Sequence, residues 1–387
     1  SGEKETFITG SPLPVTDAII HPGDGSMYFA IGGRKVQSGL YRVSYTGEGK
    51  TDPIETKPQL NELARLRHQL ENLHIGEHPK ALELAWPHID HPDRFVRWAA
   101  LIAIQRLPVD KWAAKTLQEK DPGKRVHGLL SLAKAAGIDP FHRQSSDPPI
   151  NQKLGKRILQ SLLRIKWKDL TPNERLSLVR TYQVAMVRFG KPLPQVAKKI
   201  INHLDTQFPA ESFEMNWLLC ETLAYLEAPT VAEKGIALLT QAPTQEEQME
   251  YARSLRNLRS GWTQELRSQY FNWFLKAANY RGGASFTKFI EFIRNDAVAS
   301  LSPKEQEGLA SLLAMKPEIK SPAEVMAEAM AGRTFVKNWK MDELSNSASN
   351  GLADRNFERG RKMFAAGGCY ACHRFGNQGG MNGPDLT

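Results

Sequence analysis

The sequence predicts a mainly α-helical protein with a short β segment before the helices. Apolar residues recur at helical spacing over most of residues 59–331, and three phrases there have the form of a helix-start capping box. The alternation of apolar residues that is typical of strands is confined to residues 1–46. A chain of 387 residues also predicts two or more domains.

The composition is that of a folded, basic protein. Hydrophobic residues make up 41% of the chain, and no apolar run approaches the roughly 20 residues that a membrane-spanning helix needs. The formal net charge of +9 raises the expectation of an acidic partner, which would be a redox protein, a membrane surface or nucleic acid. Because the basic pairs are spread along the chain, we do not expect nucleic acid to be that partner. Association with a membrane stays open.

Residues 1–46 have the pattern of three β-strands. We expect strands over Val15–Ile20, Ser26–Ile31 and Leu40–Tyr45, with a break at Gly32-Gly33. Three short strands are only marginally stable on their own in water. We therefore expect this segment to be the C-terminal part of a larger β domain.

A linker without periodicity, residues 47–58, precedes the helical region 59–331. The three capping boxes in that region predict where three helices begin, and two of these helices have proline at the first helical residue. They are Thr171 to Glu174, Thr244 to Glu247 and Ser302 to Glu305. Other helices are expected near residues 151–166, 193–204, 214–226, 230–240, 263–278 and 285–295.

A degenerate repeat lies near the start of the helical region. His91-Pro92 precedes one helix, and Asp121-Pro122 precedes a similar helix about 30 residues later. A turn-forming proline before a Val-Arg-x-x-Ala helix resembles a HEAT repeat, so we expect a HEAT-like α-solenoid. The aligned apolar pairs are Val96 with Val126 and Ala103 with Ala133.

Several other features of the helical region are expected to be structural. The aromatic residues between 270 and 292 are predicted to pack as core and not to form a second cofactor site. Cys220 is predicted to be a small buried core residue. The scattered histidines have no metal-binding spacing and are predicted to be surface or capping residues; they are His68, His74, His78, His88, His91, His127 and His142.

Residues 332–355 are predicted to form a second linker, with a flexible Ser- and Asn-rich part. We expect Phe335, Trp339 and Met341 to dock on the last helices of the region before it.

The motif with the clearest chemistry is Cys369-Tyr370-Ala371-Cys372-His373. Two cysteines three residues apart face the same way on a helical turn, so both thiols can form thioethers with one porphyrin. The histidine that follows is then the axial ligand of the haem iron. A zinc site would need four ligands, a structural disulfide leaves His373 unexplained, and a thioredoxin-like redox pair needs a βαβ context. The sequence therefore predicts a covalent c-type haem, with Cys369 and Cys372 as tethers and His373 as metal ligand.

The flanks of this motif resemble the start of a small cytochrome c domain, at residues 356–387. In that family a proline carbonyl accepts the proton of the proximal imidazole, and the resemblance gives Pro384 this role for His373. Met381 lies too near His373 in sequence to reach the opposite haem face, so we do not expect it to be the sixth ligand. We expect that ligand to lie beyond residue 387.

The order of the segments resembles a family of large planctomycete-type multidomain proteins. In these haem-binding CxxCH proteins, also described as membrane-bound dehydrogenases, a β-propeller precedes HEAT-like repeats and a cytochrome c. The quoted phrases are Gly39 to Val43 for the last propeller blade, Thr244 to Gln248, Leu255 to Leu258, Phe335 to Trp339 and Gly360 to Thr387. The resemblance implies that this chain is truncated at both ends, with a signal peptide and more blades upstream.

The same resemblance implies a function. The protein would be exported, to the periplasm or cell envelope, and its propeller would oxidise a sugar or alcohol, with a quinone cofactor as one option. The haem would exchange electrons with one of two partners. One is a separate redox protein, and the other is the dehydrogenase domain of the same protein. The catalytic residues of such a propeller are not identified in this sequence. Two alternatives stay open: a HEAT-repeat protein-binding scaffold with a redox-sensing haem, and a basic nucleic-acid-binding solenoid with a metal site.

Overall fold

The structure is a computed structural model of the whole chain, and it divides into two compact units, Ser1–Asn61 and Glu62–Thr387. It describes residues 5–11, 13–33, 36–49, 60–139, 141–142, 144–147, 149–280, 282–283, 285–318, 322–350, 356–375, 378–380, 383–384 and 386. Within these residues there are 17 α-helices and five short strands, so the protein is mainly helical with a small sheet, as the sequence predicts.

The first unit contains a three-stranded antiparallel sheet with the strands in sequence order. The strands are β1 (Val15–Ile20), β2 (Met27–Gly33) and β3 (Val36–Val43). Phe29 and Ile31 on the central strand are buried, and the Phe29 ring stacks on Tyr41 at 5.1 Å between centroids. Gly32 and Gly33 do not break the strand as expected. Gly33 pairs with Val36, so the strand extends through the glycines toward the hairpin, with a shift of register between Ile31 and Gly33. The predicted linker 47–58 lies mostly outside the described residues.

The helices of the second unit follow one another with short connections. The first nine are α1 (Glu62–Glu71), α2 (Ala81–Ala85), α3 (Arg94–Gln105), α4 (Ala113–Gln118), α5 (Pro122–Ala136), α6 (Gln152–Leu162), α7 (Pro172–Phe189), α8 (Pro194–Leu204) and α9 (Phe213–Tyr225). The others are α10 (Val231–Gln241), α11 (Gln245–Leu255), α12 (Gln264–Ala277), α13 (Phe286–Ala299), α14 (Pro303–Ala314), α15 (Pro322–Met330), α16 (Met341–Asn350) and α17 (Phe357–Ala366). Two short strands close the chain, β4 (Arg374–Phe375) and β5 (Gln378–Gly379).

Alternate helices pack side by side through most of this unit. α1 packs on α3, α3 on α5, α5 on α7, α7 on α9, and α9 on α11. One continuous apolar core runs from Leu70 to Leu309 between them. The four residues of the sequence repeat, Val96, Ala103, Val126 and Ala133, are all fully buried in it. The small alanines let neighbouring helices approach closely, which is how such a core reaches high packing density.

Helix starts follow the capping chemistry in the sequence. At Thr171 and Ser302 the hydroxyl accepts a hydrogen bond from the backbone N–H three residues on, and the glutamate there returns a bond to the cap. At Thr244 the hydroxyl accepts from the Glu247 N–H at 3.2 Å, but Glu247 does not complete the box.

The aromatic cluster is divided between core and surface. Tyr270, Phe271, Trp273 and Phe274 are buried, and the Trp273 indole donates to Gln248 Oε1 at 3.1 Å. Phe289 and Phe292, on the outer face of α13, are exposed. The core interpretation therefore holds for the residues of α12 and not for these two.

The segment expected to be the second linker, residues 332–355, contains a helix. α16 covers Met341–Asn350, with Asp342 and Glu343 in its first turn. Carboxylates at this end of a helix are stabilised by the helix dipole. Phe335, Trp339 and Met341 do not dock on the preceding helices; Phe335 is 80% exposed and Met341 81% exposed. None of the helices in the described residues combines the length and apolarity that crossing a membrane requires.

Candidate functional site

The turn that carries the cysteine motif is held by two glycines after α17. Asn356 caps the start of this helix by accepting a hydrogen bond from the Arg359 N–H at 2.8 Å. Gly367 ends the helix, and Gly368 has φ 75°, a left-handed conformation that favours glycine. The chain then enters a single 3₁₀ turn at Cys369–Ala371.

Both thiols of the motif project from this one turn. The Cys372 N–H and the His373 N–H both donate to the Cys369 carbonyl oxygen, at 3.2 and 2.9 Å. Cys369 is half-buried and Cys372 is exposed, and both are free thiols. The geometry therefore presents two reactive side chains on one turn of backbone, without a disulfide between them.

The imidazole of His373 is oriented by a backbone carbonyl. Its Nδ1 lies 2.9 Å from the carbonyl oxygen of Pro384. A carbonyl oxygen can only accept, so Nδ1 carries the proton, and in the neutral ring Nε2 keeps its lone pair. An imidazole whose far nitrogen donates to a carbonyl is the usual arrangement of a metal-ligating histidine.

Three glycines after the motif pack directly on the turn. The Gly380 N–H donates to the Tyr370 carbonyl at 2.6 Å, and the Gly383 N–H to the Cys372 carbonyl at 2.7 Å. A Cβ atom on Gly383 would lie 2.8 Å from both Cε1 and Nδ1 of the His373 ring, and one on Gly379 would collide with the His373 carbonyl. These glycines are not among the predicted site residues. Their density after a CxxCH motif is the signal that could have identified them.

An aromatic cluster supports the turn from α17. The Tyr370 side chain is buried and meets the Phe364 ring edge-on, with centroids 5.0 Å apart and an interplanar angle of 80°. Phe375, just after the motif, lies 6.3 Å from Phe364 between centroids. These contacts fix the turn to α17 and leave Cys372 outside the cluster.

The turn also contacts the helices that precede it. α15 packs on α17 and on the 3₁₀ turn, and the Met326 sulfur lies 3.7 Å from the position of a Cβ on Gly368. Arg374 Nη2 lies 2.7 Å from Glu246 Oε1, in the first turn of α11. Partial burial acts to raise the pKa of Glu246, but hydrogen bonds from Gln245 and Arg374 outweigh it and lower that pKa. Sequence alone could not reveal a contact between residues 128 positions apart.

The four predicted site residues, Cys369, Cys372, His373 and Pro384, lie together. Met381, which is not expected to be a ligand, lies outside the described residues. Cys220 is fully buried in the core, where burial raises the pKa of its thiol to about 12. Among the described residues no group of three or more His, Cys, Asp or Glu side chains is arranged to hold a metal ion.

Comparison with known proteins gives no assignment for the chain. No protein-family model, no curated protein and no solved structure matches it.

Proposed function

We propose that residues 356–387 bind a covalent c-type haem and carry electrons through it. The observation that carries the proposal is the bond between His373 Nδ1 and the Pro384 carbonyl, beside two free thiols on the same turn. Together these provide two nucleophiles for the porphyrin edge and one imidazole nitrogen, Nε2, for the iron. The donor set suits haem, because haem needs only one or two axial ligands from the protein.

Each residue would have a defined task in holding the group. The S–H bonds of Cys369 and Cys372 would add across the two vinyl groups, so that sulfur bonds to one vinyl carbon and hydrogen to the other, with no net oxidation. His373 would donate the Nε2 lone pair to iron, and Pro384 would hold the ring in that tautomer. When bound, the haem supplies one-electron oxidation and reduction.

We propose that the rest of the chain belongs to a multidomain protein of the kind that its motifs resemble. The row of alternately packed helices, with Val96, Ala103, Val126 and Ala133 buried, supports a HEAT-like α-solenoid. The three-stranded sheet would be the last blade of a β-propeller. We propose that the complete protein is exported to the periplasm or cell envelope and acts as a dehydrogenase, with a quinone cofactor in the propeller as one option. Its electrons would leave through the haem to a redox partner protein.

A spectrum tests the haem proposal against its alternatives. The chain, produced in a host that matures c-type cytochromes, should give a reduced α band that persists after acid–acetone extraction. A colourless protein that contains zinc would favour the solenoid with a metal site instead. If the coloured full-length gene product is not reduced by any sugar or alcohol, the redox-sensing scaffold replaces the dehydrogenase.

A further inference from the structure

We propose that the helical body positions the haem-attachment turn, through an ion pair from α11 and a packed face of α15. This inference rests on the proposed function. It assigns Glu246 and Arg374 as positioning residues and Met326 as part of the supporting wall. The body would then be a working part of the haem site, and not only a spacer.

The ion pair contacts the chain directly after the predicted metal ligand. Arg374 is the residue next to His373, and its side chain is only 16% exposed although Glu246 is 56% exposed. The guanidinium is therefore folded against protein, and the Glu246 carboxylate meets it there at 2.7 Å. A charged hydrogen bond of this length fixes direction as well as distance.

The backbone of Arg374 transmits this restraint to the other site residues. Arg374 pairs with Gly379 in the β4–β5 ladder, and its carbonyl accepts the Leu386 N–H at 2.9 Å. These bonds tie the strand after His373 to the loop that carries Gly383 and Pro384. The position of Arg374 therefore affects both the imidazole of His373 and the carbonyl of Pro384 that orients it.

The second contact holds the other side of the turn. α15 packs along α17 and against the 3₁₀ turn, and the Met326 thioether lies beside Gly368, one residue before Cys369. Ala365, at the end of α17, is buried in this region. An adaptable methionine against a bare glycine allows close contact without a fixed hydrogen bond. The two contacts thus flank the motif, one before Cys369 and one after His373.

Hydrogen exchange in the haem-free full chain tests the ion pair without relying on haem. In Glu246→Lys we expect the amides of residues 369–375 to exchange about two- to fivefold faster, the range for loss of a partly exposed ion pair. The matched control is Glu247→Lys, which removes a carboxylate from the same helix turn without touching Arg374. It should leave exchange at residues 369–375 unchanged. Glu246→Gln, which keeps the size of the side chain, should show a smaller effect in the same direction.

A double variant with the two charges of the ion pair reversed distinguishes an effect on the position of the turn from a general loss of stability. Glu246→Arg combined with Arg374→Glu restores the pair with its charges reversed, so exchange at residues 369–375 should return toward that of the unmodified chain. Equal exchange in Glu246→Lys, Glu246→Gln and the unmodified chain would overturn the proposal, as would a double variant no better than the single ones.

Measurements on the haem-loaded protein distinguish a failure of this docking from a failure of the proposed function. In the coloured protein, Glu246→Lys should shift the reduction potential of the haem, while Glu247→Lys should not. If the exchange results hold but the chain never takes up haem, the docking stands and the haem function fails. If haem binds and neither the exchange rate nor the potential responds to Glu246, the docking fails and the haem function stands.

Discussion

The Nδ1 atom of His373 lies 2.9 Å from the carbonyl oxygen of Pro384, eleven positions further along the chain. In the neutral imidazole this single bond selects the tautomer with the proton on Nδ1. Gly383, next to Pro384 in the same loop, passes so close to Nδ1 and Cε1 of the ring that no side chain fits there. The loop therefore determines the position of the ring before any cofactor is present.

Gly383→Ala should disturb this arrangement without unfolding the protein. The new methyl group would lie 2.8 Å from the imidazole, so the ring or the loop must move. We expect incomplete haem incorporation and a shifted Soret band in the visible spectrum. Gly360→Ala is the control, because no atom lies within 4 Å of its added Cβ and alanine favours the helix that contains it. A normal spectrum for Gly383→Ala would contradict the assigned packing.

The two motif cysteines should differ from Cys220 in their effect on haem. Replacing Cys369 and Cys372 together by serine should abolish covalent haem, because a hydroxyl does not add to the vinyl groups under the conditions of maturation. Cys220→Ser should keep covalent haem and lower stability instead, since it places a hydroxyl in the apolar core. Haem staining of denaturing gels and urea unfolding report the two outcomes. Covalent haem in the double variant would exclude the proposed tethers.

Substituting two glycines with positive φ distinguishes the cost of backbone strain from the cost of steric overlap. Gly261 has φ 73° and an added Cβ would collide with the Pro229 carbonyl, whereas Gly190 has φ 89° and open space around it. Gly190 has ψ 174°, a conformation that essentially only glycine adopts, so Gly190→Ala should cost about 2 kcal/mol of unfolding free energy from strain alone. Gly261→Ala should cost about 3 kcal/mol, because the overlap adds to that strain. Equal losses in urea denaturation would contradict the tight turn at Gly261.

His127 is buried in α5, so the predicted surface or capping role is wrong for this histidine, and it should make the helical unit sensitive to acid. Burial, with a smaller contribution from Arg97, lowers the pKa of His127 from 6.5 to about 4. Below pH 6.5 the unfolded chain binds a proton that the folded chain does not, so stability is lost as the pH falls from 6.5 toward 4. Between pH 7 and 4.5 this loss amounts to about 2 to 3 kcal/mol.

His127→Gln removes this titrating group and should reduce the acid sensitivity by that amount in urea denaturation at the two pH values. His142→Gln changes a histidine whose side chain is 83% exposed, and it should leave the sensitivity as it was. The same loss in the unmodified chain and in His127→Gln would show that other groups cause it.

Local signals in the sequence predicted much of the helical unit. A capping box brings together residues three apart, so Thr171 with Glu174 and Ser302 with Glu305 could be identified without the fold. The period of the apolar residues likewise indicated which side of a helix is buried, as at Val96 and Val126. The CxxCH motif belongs to the same class of signal, because its cysteines and histidine are neighbours in the chain.

What the sequence could not predict depends on distant partners or weak preferences. The Glu246–Arg374 pair joins the start of α11 to the motif, and nothing in the sequence distinguishes these two residues from the other charged residues of the chain. The helix Met341–Asn350 is rich in Ser and Asn, which favour caps and turns over helix interiors. Phe289 and Phe292 continue an aromatic run and yet are exposed, because α13 has no neighbour on that side within the described residues.

The mass of the intact chain, measured after denaturation, tests the central claim most directly. The chain should be produced in a host that matures c-type cytochromes and compared with the variant in which Cys369 and Cys372 are serine. The proposal predicts a mass increased by one haem for the unmodified chain and none for the variant. An unmodified mass for both, from cells in which a control cytochrome c is matured, would contradict it.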